Sequence, residues 1–214
     1  MKKLLRELLL LSFVFIPIVL LYIRWSSIPD TIPVHFDLSG KADRLDNKQI
    51  LLWLLPVIQV LVYVILAFVP LIDPKRRVSH GHSGFYFMRL AVVLFVSIVF
   101  ISYIFSLSGE WDFSKSIPLF IMAFITVMGN YLPIIKPNYF IGIRTPWALE
   151  NDQVWKTTHQ FCGRLWVVVG VLGFITNIIW PSLPLGLYVG VIILLVIVSV
   201  VYSYGMYKKL VTDK

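Results

Sequence analysis

The chain has 214 residues, 58% of them hydrophobic and 14% charged, with a mean hydropathy of +0.84. A soluble globule of that composition would be coated in apolar surface, so a bilayer is the natural solvent. The net charge of +8 is divided among short segments between apolar runs, which excludes the concentrated basic face of a direct nucleic-acid binder and reads as topology. With one cysteine, Cys162, there is no internal disulfide and no thiol cluster to hold zinc or an iron-sulfur centre.

A membrane span needs roughly 20 mostly apolar residues. The first such run covers about 8 to 24. Lys2, Lys3 and Arg6 ahead of it also describe a secretory leader, but no small-residue cleavage pattern follows, so a retained helix is expected.

Residues 25–49 form the first substantial polar loop. Pro29 and Pro33 each fix φ and push their predecessors toward extended backbone, and Ile32, Val34 and Phe36 alternate with Pro33, His35 and Asp37. A short strand or strap on the membrane face is expected. Leu38-Ser39-Gly40-Lys41 reads as a turn, and Asn47 suits an N-cap for the next helix. His35, Asp37, Asp43 and Asp46 lie close in sequence, but their spacing fits no EF-hand or zinc pattern, and Asp37 is expected to cap its own turn. No metal site is expected.

Further apolar runs cover about 50 to 72, 85 to 107, 116 to 135, 163 to 180 and 184 to 205, giving six spans. They are separated by Asp73-Pro74, Ser108-Gly109-Glu110, Lys136-Pro137-Asn138 and Pro181-Ser182-Leu183-Pro184. His80-Gly81-His82, with no third ligand nearby, reads as surface. Three segments are expected: 1–72, a hairpin of helices with its loop; 73–115, a basic loop and third helix; and 116–214, helices four to six.

Basic residues resist translocation and so report orientation. Lys2, Lys3, Arg6, Lys75, Arg76, Arg77, Arg89, Lys136, Arg144, Lys156, Arg164, Lys208, Lys209 and Lys214 fall on one side, against Arg24, Lys41, Arg44, Lys48 and Lys115 on the other. The richer side is expected to be cytoplasmic, with both termini there and loop 25–49 outside. The fold class is therefore an all-α integral membrane protein of six helices, with an amphipathic cytoplasmic segment at 136–162.

That segment carries the most distinctive residues. Gly129 to Arg164 reads GNYLPIIKPNYFIGIRTPWALENDQVWKTTHQFCGR. Asn138 follows a proline turn, and Gly142 permits a positive φ or close backbone approach. Thr145 and Pro146 suit the N-cap and first position of a short helix, and Asn151-Asp152 offer a second cap. From there Val154, Trp155, Thr158, Phe161 and Cys162 share one helical face, with Lys156, His159 and Gln160 expected toward water. Trp147 and Trp155 suit headgroup depth, where Arg144 and Lys156 can meet phosphates.

The run Asn138 to His159, above all Ile141-Gly142-Ile143-Arg144-Thr145-Pro146-Trp147 followed by Val154-Trp155-Lys156, resembles the cytoplasmic signature of the SdpI family. The stretch Ile28-Pro29-Asp30 to Phe36, with Gly40 and Asp43 downstream, resembles the extracytoplasmic domain of unknown function that precedes that signature. The resemblance implies a multi-pass protein of the bacterial cytoplasmic membrane that protects against a secreted membrane-active toxin peptide and holds a cytosolic winged-helix repressor at the membrane. Carried onto this chain, the partner-binding positions are Asn138, Gly142, Arg144, Thr145, Pro146, Trp147, Val154, Trp155, Lys156 and His159. Those of the outer loop are Pro29, Pro33, His35, Asp37, Gly40 and Asp43.

The alternative is a transporter or channel of the cell envelope, with Asn130 and Asn177 lining a path; interhelical hydrogen bonding is the simpler role for both. An enzyme is not expected, since no nucleophile pattern, HExxH or phosphate-binding loop is present, and no cofactor is implied. Gly186 and Gly190 on the last helix would admit close packing, within the chain or in a homodimer.

Overall fold

The computed structural model describes residues 2–74 and 83–212. Lys75, Arg76, Arg77, Lys214 and the His80-Gly81-His82 triplet lie outside them. The helices are α1 (Lys2–Arg24), α2 (Leu51–Ile72), α3 (Ser83–Leu107), α4 (Phe113–Tyr131), the single-turn α5 (Pro146–Glu150), α6 (Asp152–Ile179) and α7 (Leu185–Tyr207). All but α5 belong to segments long and apolar enough to cross a membrane. Their outward faces carry exposed Leu, Ile, Val and Phe, among them Leu4, Phe15, Val64, Leu172 and Leu194, as lipid requires and water forbids.

Between α1 and α2 the chain forms an antiparallel hairpin, β1 (Thr31–Phe36) with β2 (Ala42–Asn47). Pairing runs from Thr31 with Asn47 to Phe36 with Ala42, and the register slips on either side of His35. Asp37 builds the turn: its Oδ1 accepts from the Ser39 N–H and hydroxyl and from the Lys41 N–H, at 2.9, 2.7 and 2.9 Å. Those bonds, the Ser39 hydroxyl foremost, hold its carboxyl below the usual carboxylate range.

The hairpin is seated, not suspended. Ile28 and Ile32 bury against Leu21, Leu51, Leu55, Tyr103 and Ile104, the Tyr103 hydroxyl donates to the Pro33 carbonyl, and the Gly186 N–H at the start of α7 donates to the Leu38 carbonyl at 2.8 Å. The expected strap is therefore a two-stranded cap lying across both halves of an otherwise helical bundle.

In the first half, Arg89 on α3 is 2% exposed and grips Glu7 on α1 through two bonds of 2.8 and 3.0 Å. The Tyr63 hydroxyl from α2 donates to the same carboxylate at 2.9 Å. Arg89 is thus no loop charge, as its place in the charge count assumed. An arginine this deep needs a bidentate carboxylate partner, and the opening turns of α1, where the helix dipole favours an anion, supply one.

In the second half α4 packs along α6 at a separation only glycine allows. A Cβ on Gly163 would lie 2.7 Å from the Gly129 carbonyl oxygen and 2.8 Å from Pro133, and one on Gly129 would lie 2.8 Å from the Val167 nitrogen. Asn130 is exposed, and Asn177, though 3% exposed, has no hydrogen-bond partner for its Nδ2 among the described residues. Neither forms the interhelical bond expected of it. Gly186 is occupied by Leu38, whereas Gly190 faces open space.

Candidate functional site

The start of α1, the ends of α2 and α7 and the segment between α4 and α6 lie at the end of the bundle opposite the hairpin, where the Tyr139 N–H donates to Asp73 Oδ1 at 3.3 Å. Here α6 outruns its partner. Gly163 sits level with the last turn of α4, so the 11 residues from Asp152 project about 16 Å beyond it at 1.5 Å per residue. The chain from Ile135 to Asn151 wraps this projecting stub, which is buried along one face, Val154, Trp155, Thr158, His159 and Cys162, and exposed at Gln153, Lys156, Gln160 and Phe161.

Asn138, fully buried, folds the wrap. Its Oδ1 accepts from the Phe140 and Ile141 N–H groups, each at 2.8 Å, while its Nδ2 donates to the carbonyls of Lys136 and Ile141 at 2.8 and 3.1 Å. All four bonding positions of the amide are used. Gly142 follows at φ 109°, where a Cβ would collide with His159 Nε2.

His159 is 1% exposed, not directed to water. The Ile143 N–H donates to its Nε2 at 3.0 Å and its Nδ1 lies 2.8 Å from the Trp155 carbonyl, so the proton sits on Nδ1 and the ring bridges wrap and helix. Trp155 stacks on that ring at 4.0 Å and donates from Nε1 to the Ile135 carbonyl at 2.8 Å. Val154 and Thr158 are fully buried beside them, whereas Phe161, assigned to the packed face, is 38% exposed and stacks on Tyr202 of α7 at 3.9 Å.

The second anchor is Ser203 of α7, fully buried. The Trp147 Nε1 donates to its hydroxyl at 2.8 Å, and the Thr145 hydroxyl lies 2.8 Å away. Thr145 precedes α5 as expected but spends its hydroxyl on Ser203 and makes no side-chain cap, whereas Asn151 caps α6 through the Gln153 and Val154 N–H groups. Among the signature positions, then, Asn138, Thr145, Val154, Trp155 and His159 are buried scaffold, Gly142 and Trp147 are half-buried, and Arg144, Pro146 and Lys156 face outward. Arg144 donates from Nη1 to the Tyr139 carbonyl at 2.7 Å and borders a cavity of about 480 Å³ that runs under the wrap to Trp166, Val196, Ser199 and Val200.

At the hairpin end, His35 and Asp43 form an exposed pair at 2.6 Å, while Asp37 is committed to its turn with Gly40 at φ 85°. Pro29 is exposed and Pro33 half-buried. Among the described residues no three His, Cys, Asp or Glu side chains gather as a metal site would need.

Two family profiles match the chain. The SdpI/YfhL protein family covers residues 134–203, from the start of the wrap to Ser203, and a domain of unknown function (DUF1648) covers 12–60, from α1 through the hairpin into α2. The chain is also 23% identical over 210 residues to the immunity protein SdpI of Bacillus subtilis (strain 168), spanning 98% of each. No solved structure matches it. With six apolar helices, a hairpin-bearing region that matches DUF1648 and a wrap that matches the SdpI/YfhL profile in that order, the chain is a multi-pass membrane protein similar to SdpI in both segments.

Proposed function

We propose that the protein confers resistance to a secreted membrane-active peptide in the bacterial cytoplasmic membrane, with the hairpin outside and the signature wrap in the cytoplasm. The observation that carries this reading is the likeness to an immunity protein along almost the whole chain, hairpin and wrap included. Orientation rests on the excess of basic residues at the wrap end.

The hairpin offers a peptide the exposed His35–Asp43 pair, Pro29 and the 63% exposed Leu38 at its tip. A cytosolic winged-helix repressor would meet Pro146 and Lys156, because Asn138, Trp155 and His159 are spent on holding the wrap. A toxin can drive repressor capture only by binding one arrangement of the protein better than another.

Expression in a peptide-sensitive bacterium tests the reading. Survival against at least one of a panel of secreted membrane-active peptides should rise about tenfold or more over cells carrying an empty vector. Failure against every peptide, with the protein verified in the membrane, would refute immunity. In the same cells, Pro146→Cys in a Cys162→Ser background should resist a membrane-impermeant maleimide until the cells are opened; labelling of intact cells would reverse the orientation.

A conduit through the envelope is the second reading, favoured by the Asn177 Nδ2 and Tyr188 hydroxyl, buried within α6 and α7 and without a hydrogen-bond partner among the described residues. Peptide-dependent leakage or uptake by proteoliposomes would support it over immunity by sequestration.

A further inference from the structure

The cavity beneath the wrap has one cationic wall and one membrane-facing wall. Arg144 and Tyr139 stand at its wrap side; Trp166 of α6 and Val196, Ser199 and Val200 of α7 line it within the apolar spans. Val196 and Val200 are 48% and 41% exposed on the outward side of α7, so the cavity opens to lipid along its length. Ser199 is already committed, accepting from Trp166 Nε1 at 3.2 Å and donating to the Leu195 carbonyl at 2.7 Å, which leaves the deep part effectively apolar.

Arg144 has no anionic partner among the described residues. One N–H is fixed on the Tyr139 carbonyl, which orients the guanidinium, and among the described residues no carboxylate lies within ion-pair distance of it and no other group accepts from it. An always-charged fork at the rim of an apolar slot of about 480 Å³, within the usual range for ligand sites, matches an amphiphile with an anionic head. The lipid-facing wall selects a molecule that arrives through the bilayer over a free anion. A zwitterionic headgroup would bring its own cation beside Arg144 with no carboxylate to receive it, whereas an anionic phospholipid brings none.

We propose that this cavity is a binding site for an anionic phospholipid, its phosphate on Arg144 and an acyl chain along Val196 and Val200. The site goes beyond the immunity reading and does not depend on it.

The test is lipid retention by the full-length protein, purified from mixed phosphatidylglycerol and phosphatidylcholine vesicles and read by native mass spectrometry. Phosphatidylglycerol should be enriched about five- to tenfold over phosphatidylcholine in the bound fraction. Arg144→Gln should abolish that preference, and Arg164→Gln, an exposed cation outside the cavity lining, should keep it. Val200→Trp, which fills the slot from an outward-facing position and leaves the charge in place, should reduce retention of both lipids and serves if Arg144→Gln fails to fold. Equal enrichment in wild type and Arg144→Gln, or no retained lipid in wild type, would overturn the proposal. Displacement of the lipid by inorganic phosphate alone would overturn it in favour of a soluble anion.

Discussion

Gly142→Ala isolates the wrap from the rest of the bundle. At φ 109° an L side chain costs about 1–3 kcal/mol of backbone strain. The added methyl also collides with His159 Nε2, forcing the ring off the Ile143 N–H and leaving a donor unsatisfied at a further cost of about 1–3 kcal/mol. Against this stands about 0.4–1 kcal/mol gained by stiffening the unfolded chain, so the net loss lies between about 1 and about 5.6 kcal/mol, with its midpoint at about 3 kcal/mol. Because the wrap can lift from α6 while the helices stay packed, the loss should be local. Amide exchange at Ile143 and its neighbours should accelerate about 30- to 1000-fold, while the hairpin amides of 31–47 keep their protection. Gly190→Ala is the matched control: its Cβ meets nothing within 4 Å, and alanine in a helix interior is favoured over glycine by about 1 kcal/mol. Unchanged exchange at Ile143 in Gly142→Ala would refute the bridge between wrap and helix.

Two further perturbations probe the helix packing. Arg89→Met takes both guanidinium bonds from Glu7 and should lower stability in detergent by about 3–5 kcal/mol, with much of the loss recovered in the Glu7→Gln/Arg89→Met double variant; a double variant no better than the single would deny the pair its role as a clamp. Gly163→Ala pushes a methyl onto the Gly129 carbonyl and should cost about 1–3 kcal/mol in the same unfolding assay, and a melting point equal to wild type would mean that α4 and α6 are not so closely set.

The six spans were legible because lipid demands about 20 apolar residues in a row and the Pro, Gly and Asp punctuation between them is strong. The hairpin was half legible: the alternation of Ile32, Val34 and Phe36 called for extended backbone, but β2, Ala42-Asp43-Arg44-Leu45-Asp46-Asn47, is exposed throughout and has no alternation to announce it. Asn47 and Asn151 were found as caps because capping is a local property, readable within four residues. His159 differs from expectation because periodicity locates a buried face without fixing its edges, and the wrap returning through Gly142 covers the His159 edge and leaves the Phe161 edge exposed. Glu7 and Arg89, 82 residues apart, carry no local sign of their pairing. Ser203 carries no local sign of its role, because its two partners, Thr145 and Trp147, meet it only through tertiary packing.

The last helix buries one stripe, Tyr188, Leu195, Ser199 and Ser203, against the bundle, flanked by half-buried residues such as Ile192 and Tyr202. At one tip it is pinned to the hairpin by the Gly186 amide, and 17 residues on, about 26 Å along its axis, Ser203 is pinned to the wrap. Leu38 of the hairpin and the Thr145 and Trp147 side chains of the wrap are thereby tied to the two ends of one unbroken helix, so the polar segments at opposite ends of the bundle share a single rigid element.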